Sequence, residues 1–181
     1  MMRIPDRDRL DASRRMRPAV LALGSNLGDR GELLREAVAA LGATAGVEVR
    51  AVSPVVESVA LKPHGADPEA PRYLNAVVLV ETLLTPGELL AEAHRIEARH
   101  GRVREERWGD RTLDIDIVDF DGTVSDDPQL TLPHPRAAER AFVLAPWLAV
   151  DATATLPGAG PVGALLAAIG NDTQPAEGVE L

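Results

Sequence analysis

Asp114 and Asp116 stand two residues apart in the run Thr112-Leu113-Asp114-Ile115-Asp116-Ile117-Val118. A basic segment directly upstream carries Arg102, Arg104, Arg107 and Arg111 together with Trp108. Leu113, Ile115, Ile117 and Val118 favour a strand, in which successive side chains point to opposite faces. Both carboxylates then project from one face, with Leu113, Ile115 and Ile117 behind them. Two carboxylates held close together repel unless a cation lies between them or one takes up a proton. All-oxygen ligands completed by substrate phosphates suit Mg²⁺, and guanidinium forks suit the phosphates. Asp-x-Asp alone would read as a polar strand edge beside a solvated charge run. The arginines and the tryptophan beside it favour a phosphate and metal site.

The elements that must position these groups follow from the pattern along the chain. Ala19 to Leu23 predicts a short buried strand, and Gly24 to Asp29 a turn into a helix. Asp29 and Glu32 fit an N-cap with its capping-box partner. Leu33, Leu34, Ala37, Val38 and Leu41 form that helix's inner stripe, and Gly42 ends it. The turn lacks both the Gly-Lys-Ser/Thr ending of a phosphate loop and the GxGxxG pattern, so its glycines predict a tight turn only. Val47 to Ser53 alternates as a half-buried strand, and residues 57–72, punctuated by Pro63, Pro68 and Pro71, predict a long loop. Tyr73 to Glu81 reads as a strand buried on both faces, Leu74, Ala76, Val78 and Val80 opposing Val77 and Leu79. Thr85-Pro86-Gly87-Glu88 opens a second helix with cap, N1 proline and capping-box acid in register. Leu89, Ala93, Ile96 and His100 are its inner stripe, and Glu97 borders it.

After the Asp114 strand, Asp121-Gly122 turns the chain and Asp126-Asp127-Pro128 makes a second loop. Arg136 to Glu139 predicts one helical turn, Phe142 to Val150 a helix bent or ended by Pro146, and Pro161 to Ile169 a last amphipathic helix. Strand, helix, strand, strand, helix, strand is the split βαβ order. It predicts an α+β chain with a ferredoxin-like core, an antiparallel sheet and additional C-terminal helices. Residues 1–17, rich in Arg and Asp, predict a disordered arm. Residues 18–170 form the domain, and 171–181 a frayed tail.

Composition narrows the function. At 181 residues the chain has single-domain length, with 45% apolar and 26% charged residues as in ordinary globular proteins. There is no apolar run of membrane-spanning length and no secretory h-region, which fits a cytoplasmic protein. The absence of cysteine excludes disulfides, thiolate catalysis and Cys-bound zinc. A net charge of -9 argues against a general nucleic-acid binder. Against that acidic background, six of the eighteen arginines fall between Arg95 and Arg111, marking a local anion site.

Four blocks, in order, carry a resemblance: Ala22 to Arg30 (ALGSNLGDR), Tyr73 to Val78 (YLNAVV), Arg107 to Phe120 (RWGDRTLDIDIVDF) and Leu130 to Trp147 (LTLPHPRAAERAFVLAPW). They resemble the 6-hydroxymethyl-7,8-dihydropterin pyrophosphokinases over roughly Pro18 to Ile169. The resemblance implies ATP-dependent pyrophosphoryl transfer to the pterin hydroxymethyl group, releasing AMP, in folate biosynthesis. ATP is then the cosubstrate, and two Mg²⁺ are held by Asp114 and Asp116. Arg102, Arg104 and Arg111 match arginines on the triphosphate, and His134 and Arg140 match phosphate contacts. Glu97, Leu130 and Thr131 match positions around the adenosine end. On the pterin side, Tyr73 and Phe142 match the flanking aromatics, Asn75 the ring-edge partner, Ser58 the neighbouring loop and Trp108 a lid, with Asp114 beside the hydroxymethyl group. Arg102, Arg111, Asp114 and Asp116 are the implied catalytic set.

On local grounds Tyr73 fits a satisfied core aromatic as well as a ligand platform, His134 fits a structural hydrogen-bonding role as well, and Leu130 fits plain core. The chain departs from the family pattern at Asp110, where proline is usual, and at Ser58 to Pro63. The expected partners are the small-molecule substrates, for a monomeric enzyme with other folate-pathway enzymes as possible associates and without nucleic acid or membrane. Two further readings share the paired aspartates: a palm-type nucleotidyltransferase, which needs a basic template groove, and a ferredoxin-like binding module.

Overall fold

The computed structural model describes residues 15–62, 65–101 and 112–181. The arm expected over 1–17 therefore lies almost wholly outside the described residues, as does the arginine segment 102–111. Its first strand, β1 (Arg17–Ser25), runs through Gly24 and Ser25 rather than turning there. Helix α1 (Arg30–Gly42) starts as expected, the Asp29 carboxylate accepting from the Glu32 N–H at 3.0 Å. Strand β2 (Val47–Val52) and strand β3 (Val56–Ser58) then lie one after the other along the same neighbour. The loop expected from residue 57 onward in fact holds β3 and a small hairpin, β4 (Ala60–Lys62) and β5 (Gly65–Asp67). Three-residue strands are too short to show a hydrophobic period.

Strand β6 (Tyr73–Thr82) is the central strand. Thr85 forms a full capping box with Glu88 at the start of α2 (Pro86–Arg99). Strand β7 (Asp114–Phe120) follows. The second expected loop is a hairpin of β8 (Ser125–Asp127) and β9 (Leu130–Leu132). One 3-10 turn, Ala137–Glu139, leads to α3 (Ala141–Val150), which continues through Pro146. Interior proline costs a helix about 3 kcal/mol; here Val143, Leu144, Pro146 and Trp147 are buried together and offset it. Two-residue strands β10 (Thr155–Leu156) and β11 (Gly160–Pro161) precede α4 (Val162–Ile169).

Among the described residues all pairings are antiparallel, and with β12 (Gln174–Pro175) the main sheet has the order β12-β3-β6-β1-β7 with β2 also on β6. This is the ferredoxin-like arrangement that the element order predicts. One face packs Leu21, Leu23, Ile115 and Ile117 against Leu34 and Leu41 of α1 and Leu89 and Ile96 of α2. The other packs Val20, Val77 and Val118 against Val143 and Trp147 of α3 and Val162 of α4. A one-residue bulge at Val118, where Leu21 faces Ile117 but Val20 faces Asp119, lets Ile115, Ile117 and Phe120 share the first face.

The last residues are not a frayed tail. Strand β12 (Gln174–Pro175) pairs with β3, the Ala176 N–H donates to the Val55 carbonyl at 3.0 Å, and Arg35 Nε donates to the Glu180 carbonyl at 3.0 Å. Ala176, Val179 and Leu181 pack on the first core. Without this strap β3 would be an open edge, which folded sheets rarely leave uncovered. Among the described residues, no helix is long and apolar enough to cross a membrane.

Candidate active site

Asp114 and Asp116 project from β7 on the face that carries Val118, toward the C-terminal helices, while Ile115 and Ile117 point into the α1/α2 core. The strand alternation thus holds as the sequence predicts. The sheet register sets what lies beside them. Gly24 of β1 is opposite Asp114 on one side and Asn75 of β6 on the other. Ala22 is likewise opposite Asp116 and Val77. Asn75, Gly24 and Asp114 therefore form one row across three strands, with nothing larger than hydrogen on the middle position.

Asn75 is 5% exposed, and its Nδ2 donates to Ser58 Oγ at 2.9 Å. Buried amides in such bonds are oriented groups rather than mobile ones. Tyr73, two residues earlier on the same face, is half-buried and lies opposite Ser58 in the ladder. Glu57 beside Ser58 is braced by Arg30 at 3.0 Å and Arg72 at 3.5 Å. Helix α3 packs on β3 and β6, which brings the half-buried Phe142 to the same side of the sheet as Tyr73.

At the other end of the row, Asp116 is 38% exposed and faces two cationic or polarisable groups. His134 Nε2 is 3.7 Å and Arg140 Nη1 is 3.6 Å from the same oxygen, Oδ2. These are ion-pair separations, too long for hydrogen bonds. His134 is anchored by its own N–H, which donates to the Val118 carbonyl at 2.8 Å. Its Nδ1 accepts from the Arg136 N–H at 3.1 Å, so the ring proton belongs on Nε2, facing Asp116. Burial lowers the His134 pKa, Asp116 opposes the shift, and Arg140 and Arg136 add to it. The neutral imidazole is thus the favoured form. The Arg140 guanidinium also lies 5.5 Å from the Phe142 ring centroid, linking the anionic end of the site to its aromatic wall.

Two carboxylates with room above a glycine and an alanine fit Mg²⁺, which is commonly bound by one or two carboxylates plus substrate oxygens. Among the described residues there is no group of three or more His, Cys, Asp or Glu able to hold a metal. Leu130 and Thr131 lie on β9, which packs against β7 and α2; Leu130 also touches the core, and Thr131 Oγ1 donates to the Asp127 carbonyl at 3.1 Å. Glu97 is 2% exposed, and its Oε1 accepts from the Ile115 N–H at 2.9 Å, beneath the strand rather than in the open site. Arg102, Arg104, Trp108 and Arg111 lie outside the described residues.

A family model described as 7,8-dihydro-6-hydroxymethylpterin-pyrophosphokinase matches residues 20–152. The chain belongs to this family. A 2-amino-4-hydroxy-6-hydroxymethyldihydropteridine pyrophosphokinase of Bacillus subtilis is 48% identical over 128 residues, covering 71% of this chain and 74% of the relative. Its namesake in Mycobacterium tuberculosis is 42% identical over 165 residues, covering 84% of each chain. Among solved structures, wild-type Plasmodium falciparum HPPK-DHPS aligns with a TM-score of 0.63 at 14% identity, over 85% of this chain and 45% of that one. That similarity carries the fold alone, and the chain spans less than half of the solved protein. Family membership sets aside the palm-type and binding-module readings. The sequence missed Gly24 as part of the site, because a glycine before Ser-Asn reads as a turn; its strand neighbours were the available signal.

Proposed function

We propose that the row from Asn75 to Asp114 aligns 6-hydroxymethyl-7,8-dihydropterin for ATP-dependent pyrophosphoryl transfer, with AMP as the leaving group. The single observation that supports this most is the row itself: an oriented amide at one end, a carboxylate pair at the other, and bare backbone between. Asn75, oriented by Ser58, takes the polar edge of the ring, and Tyr73 and Phe142 flank its faces. The hydroxymethyl arm then extends toward Asp114. The alcohol oxygen bonds to the β-phosphorus as the bond from that phosphorus to the oxygen of the α-phosphate breaks, and the alcohol loses its proton.

Two Mg²⁺ held by Asp114 and Asp116 would neutralise the triphosphate and the developing charge. Arg140 and the Nε2–H of His134 keep Asp116 facing the site and offer donors to phosphate oxygens. Arg102, Arg104 and Arg111 supply further phosphate contacts, with Arg102 and Arg111 stabilising the transferring group. Leu130 and Thr131 flank the adenosine end, Glu97 supports it from below, and Trp108 closes over the pterin.

The test is to incubate the protein with ATP, Mg²⁺ and the pterin, and to separate the nucleotides by chromatography. AMP is the expected product; ADP, or no consumption of ATP, refutes the assignment. Asp116→Asn should keep its fold and lose about 100-fold or more in kcat, the scale of a catalytic metal contact. Near-wild-type turnover in that variant would remove the metal from Asp116.

A further inference from the structure

Gly24 has no conformational reason to be glycine. Its φ lies outside the left-handed region, and it sits inside β1 with regular pairing on both sides. Glycine in a strand interior weakens the strand, and it often marks a place where a ligand or another backbone approaches closely. The preceding strand positions are filled by Val20, Leu21, Ala22 and Leu23, so the segment accepts side chains up to this point.

What a side chain would meet there is specific. A Cβ built on Gly24 would stand 3.3 Å from Asn75 Oδ1 and 3.7 Å from Tyr73 Cδ1. The first separation is tighter than ordinary contact, and Asn75 has little freedom to retreat because its Nδ2 is held by Ser58. Both atoms belong to the residues assigned above to the pterin ring. Asn75 and Asp114 flank Gly24 across two strand spacings, about 10 Å, a gap open above β1 only while position 24 lacks a side chain.

We propose that Gly24 is a specificity-determining residue, its bare α-carbon keeping the Asn75 amide and the Tyr73 ring in place and leaving the floor between Asn75 and Asp114 open for a bicyclic substrate. This rests on the assignment of Tyr73 and Asn75 to the pterin. A methyl group at this position pushes on the recognition amide and narrows the floor, while the backbone of β1 is untouched. Asp116, at the nucleotide end, has Ala22 rather than Gly24 opposite it, so the change falls first on the pterin.

The experiment compares wild type, Gly24→Ala and Asn75→Ala by thermal unfolding, by calorimetric titration with a non-hydrolysable ATP analogue and Mg²⁺, and by steady-state kinetics in the pterin. Gly24→Ala should stay folded, melting within several degrees of wild type because the strand gain and the clash oppose each other, and it should bind the analogue within a few-fold of wild type. Its KM for the pterin should rise about tenfold or more, the scale of an overpacking clash. A folded Gly24→Ala with wild-type KM overturns the proposal, provided that Asn75→Ala loses pterin affinity. An Asn75→Ala that binds pterin like wild type instead overturns the pterin assignment itself. Should Gly24→Ala not fold, amide NMR of the wild type decides. Pterin should shift the Gly24 amide strongly and leave that of Gly87, which opens α2, in place; equal shifts or none at Gly24 overturn the proposal.

Discussion

Replacing Glu97 by alanine tests the bond that holds β7 from outside the sheet. Among the described residues strand β7 pairs with β1 alone, so every second amide along it faces away from that ladder. The Ile115 amide, between the two aspartates, meets the buried carboxylate of Glu97 at 2.9 Å. Hydrogen bonds to charged groups contribute about 1.5–3 kcal/mol net, the same scale as the penalty for leaving a buried N–H unpaired. For a chain of this size, 1 kcal/mol shifts Tm by roughly 2–4 °C. Glu97→Ala should therefore melt about 3–12 °C lower by scanning calorimetry. The local signature is sharper: hydrogen exchange at the Ile115 amide should speed up about 10- to 150-fold, because each 1.4 kcal/mol is tenfold. Glu97→Gln keeps an acceptor oxygen at the same reach and should hold Ile115 exchange within a few-fold of wild type. A Glu97→Ala protein with unchanged Ile115 protection would refute the reasoning, even if its Tm fell.

Two further outcomes follow from elements away from the row. Ending the chain before Gln174 removes β12, the Ala176 and Glu180 backbone bonds and the packing of Val179. It should cost about 1–3 kcal/mol after the ordering entropy of the tail is offset; a truncated protein with wild-type Tm would mean that the strap contributes nothing. Asp119 has its pKa raised by burial, against backbone bonds from Gly122 and Phe120 that lower it. The folded state then binds the proton more tightly than the unfolded chain, so this group's contribution is fully present below the ordinary value of 3.8 and is lost as pH rises through the folded pKa. Asp119→Asn should be more stable than wild type at neutral pH, with the advantage shrinking in acid; a Tm difference that does not vary with pH contradicts this.

Legibility in the sequence followed the length of each pattern. Ten residues of β6 and seven of β7 show enough alternation to assign both faces, and the caps at Asp29 and Thr85 are chemically explicit. The split βαβ order followed from these. Strands β3, β4, β5, β8 and β9 have three residues each and are defined by their partners rather than by any period. Strand β12 is recruited by β3 across more than a hundred residues of chain, so nothing local announces it. In the site, Asp114, Asp116, Asn75 and Tyr73 stood out because their types suit chemistry. Glu97 and Gly24 depend on orientation and register. A buried carboxylate under a strand edge looks like any helix acid, and a glycine floor looks like a turn, until the neighbouring strands are aligned.

The extra residue at Val118 changes what an insertion or deletion in β7 would do. Before it, even-numbered positions look toward the C-terminal helices; from Asp119 onward, odd-numbered ones do. A strand of one parity would have to drive Asp119 beneath α1 and α2 and turn Phe120 out of that core, where it is fully buried. The bulge acts as a phase shift between two halves with different duties, one presenting carboxylates and the other anchoring on Ala19 through Phe120. Each half can then change its composition without the other having to follow. Losing the single residue Val118 would leave regular alternation, with Asp114, Asp116 and Asp119 on one face and Ile115, Ile117 and Phe120 on the other. Losing Ile117, or inserting a residue before Val118, would instead force the chain to keep either the paired acids in the site or the aromatic anchor in the core.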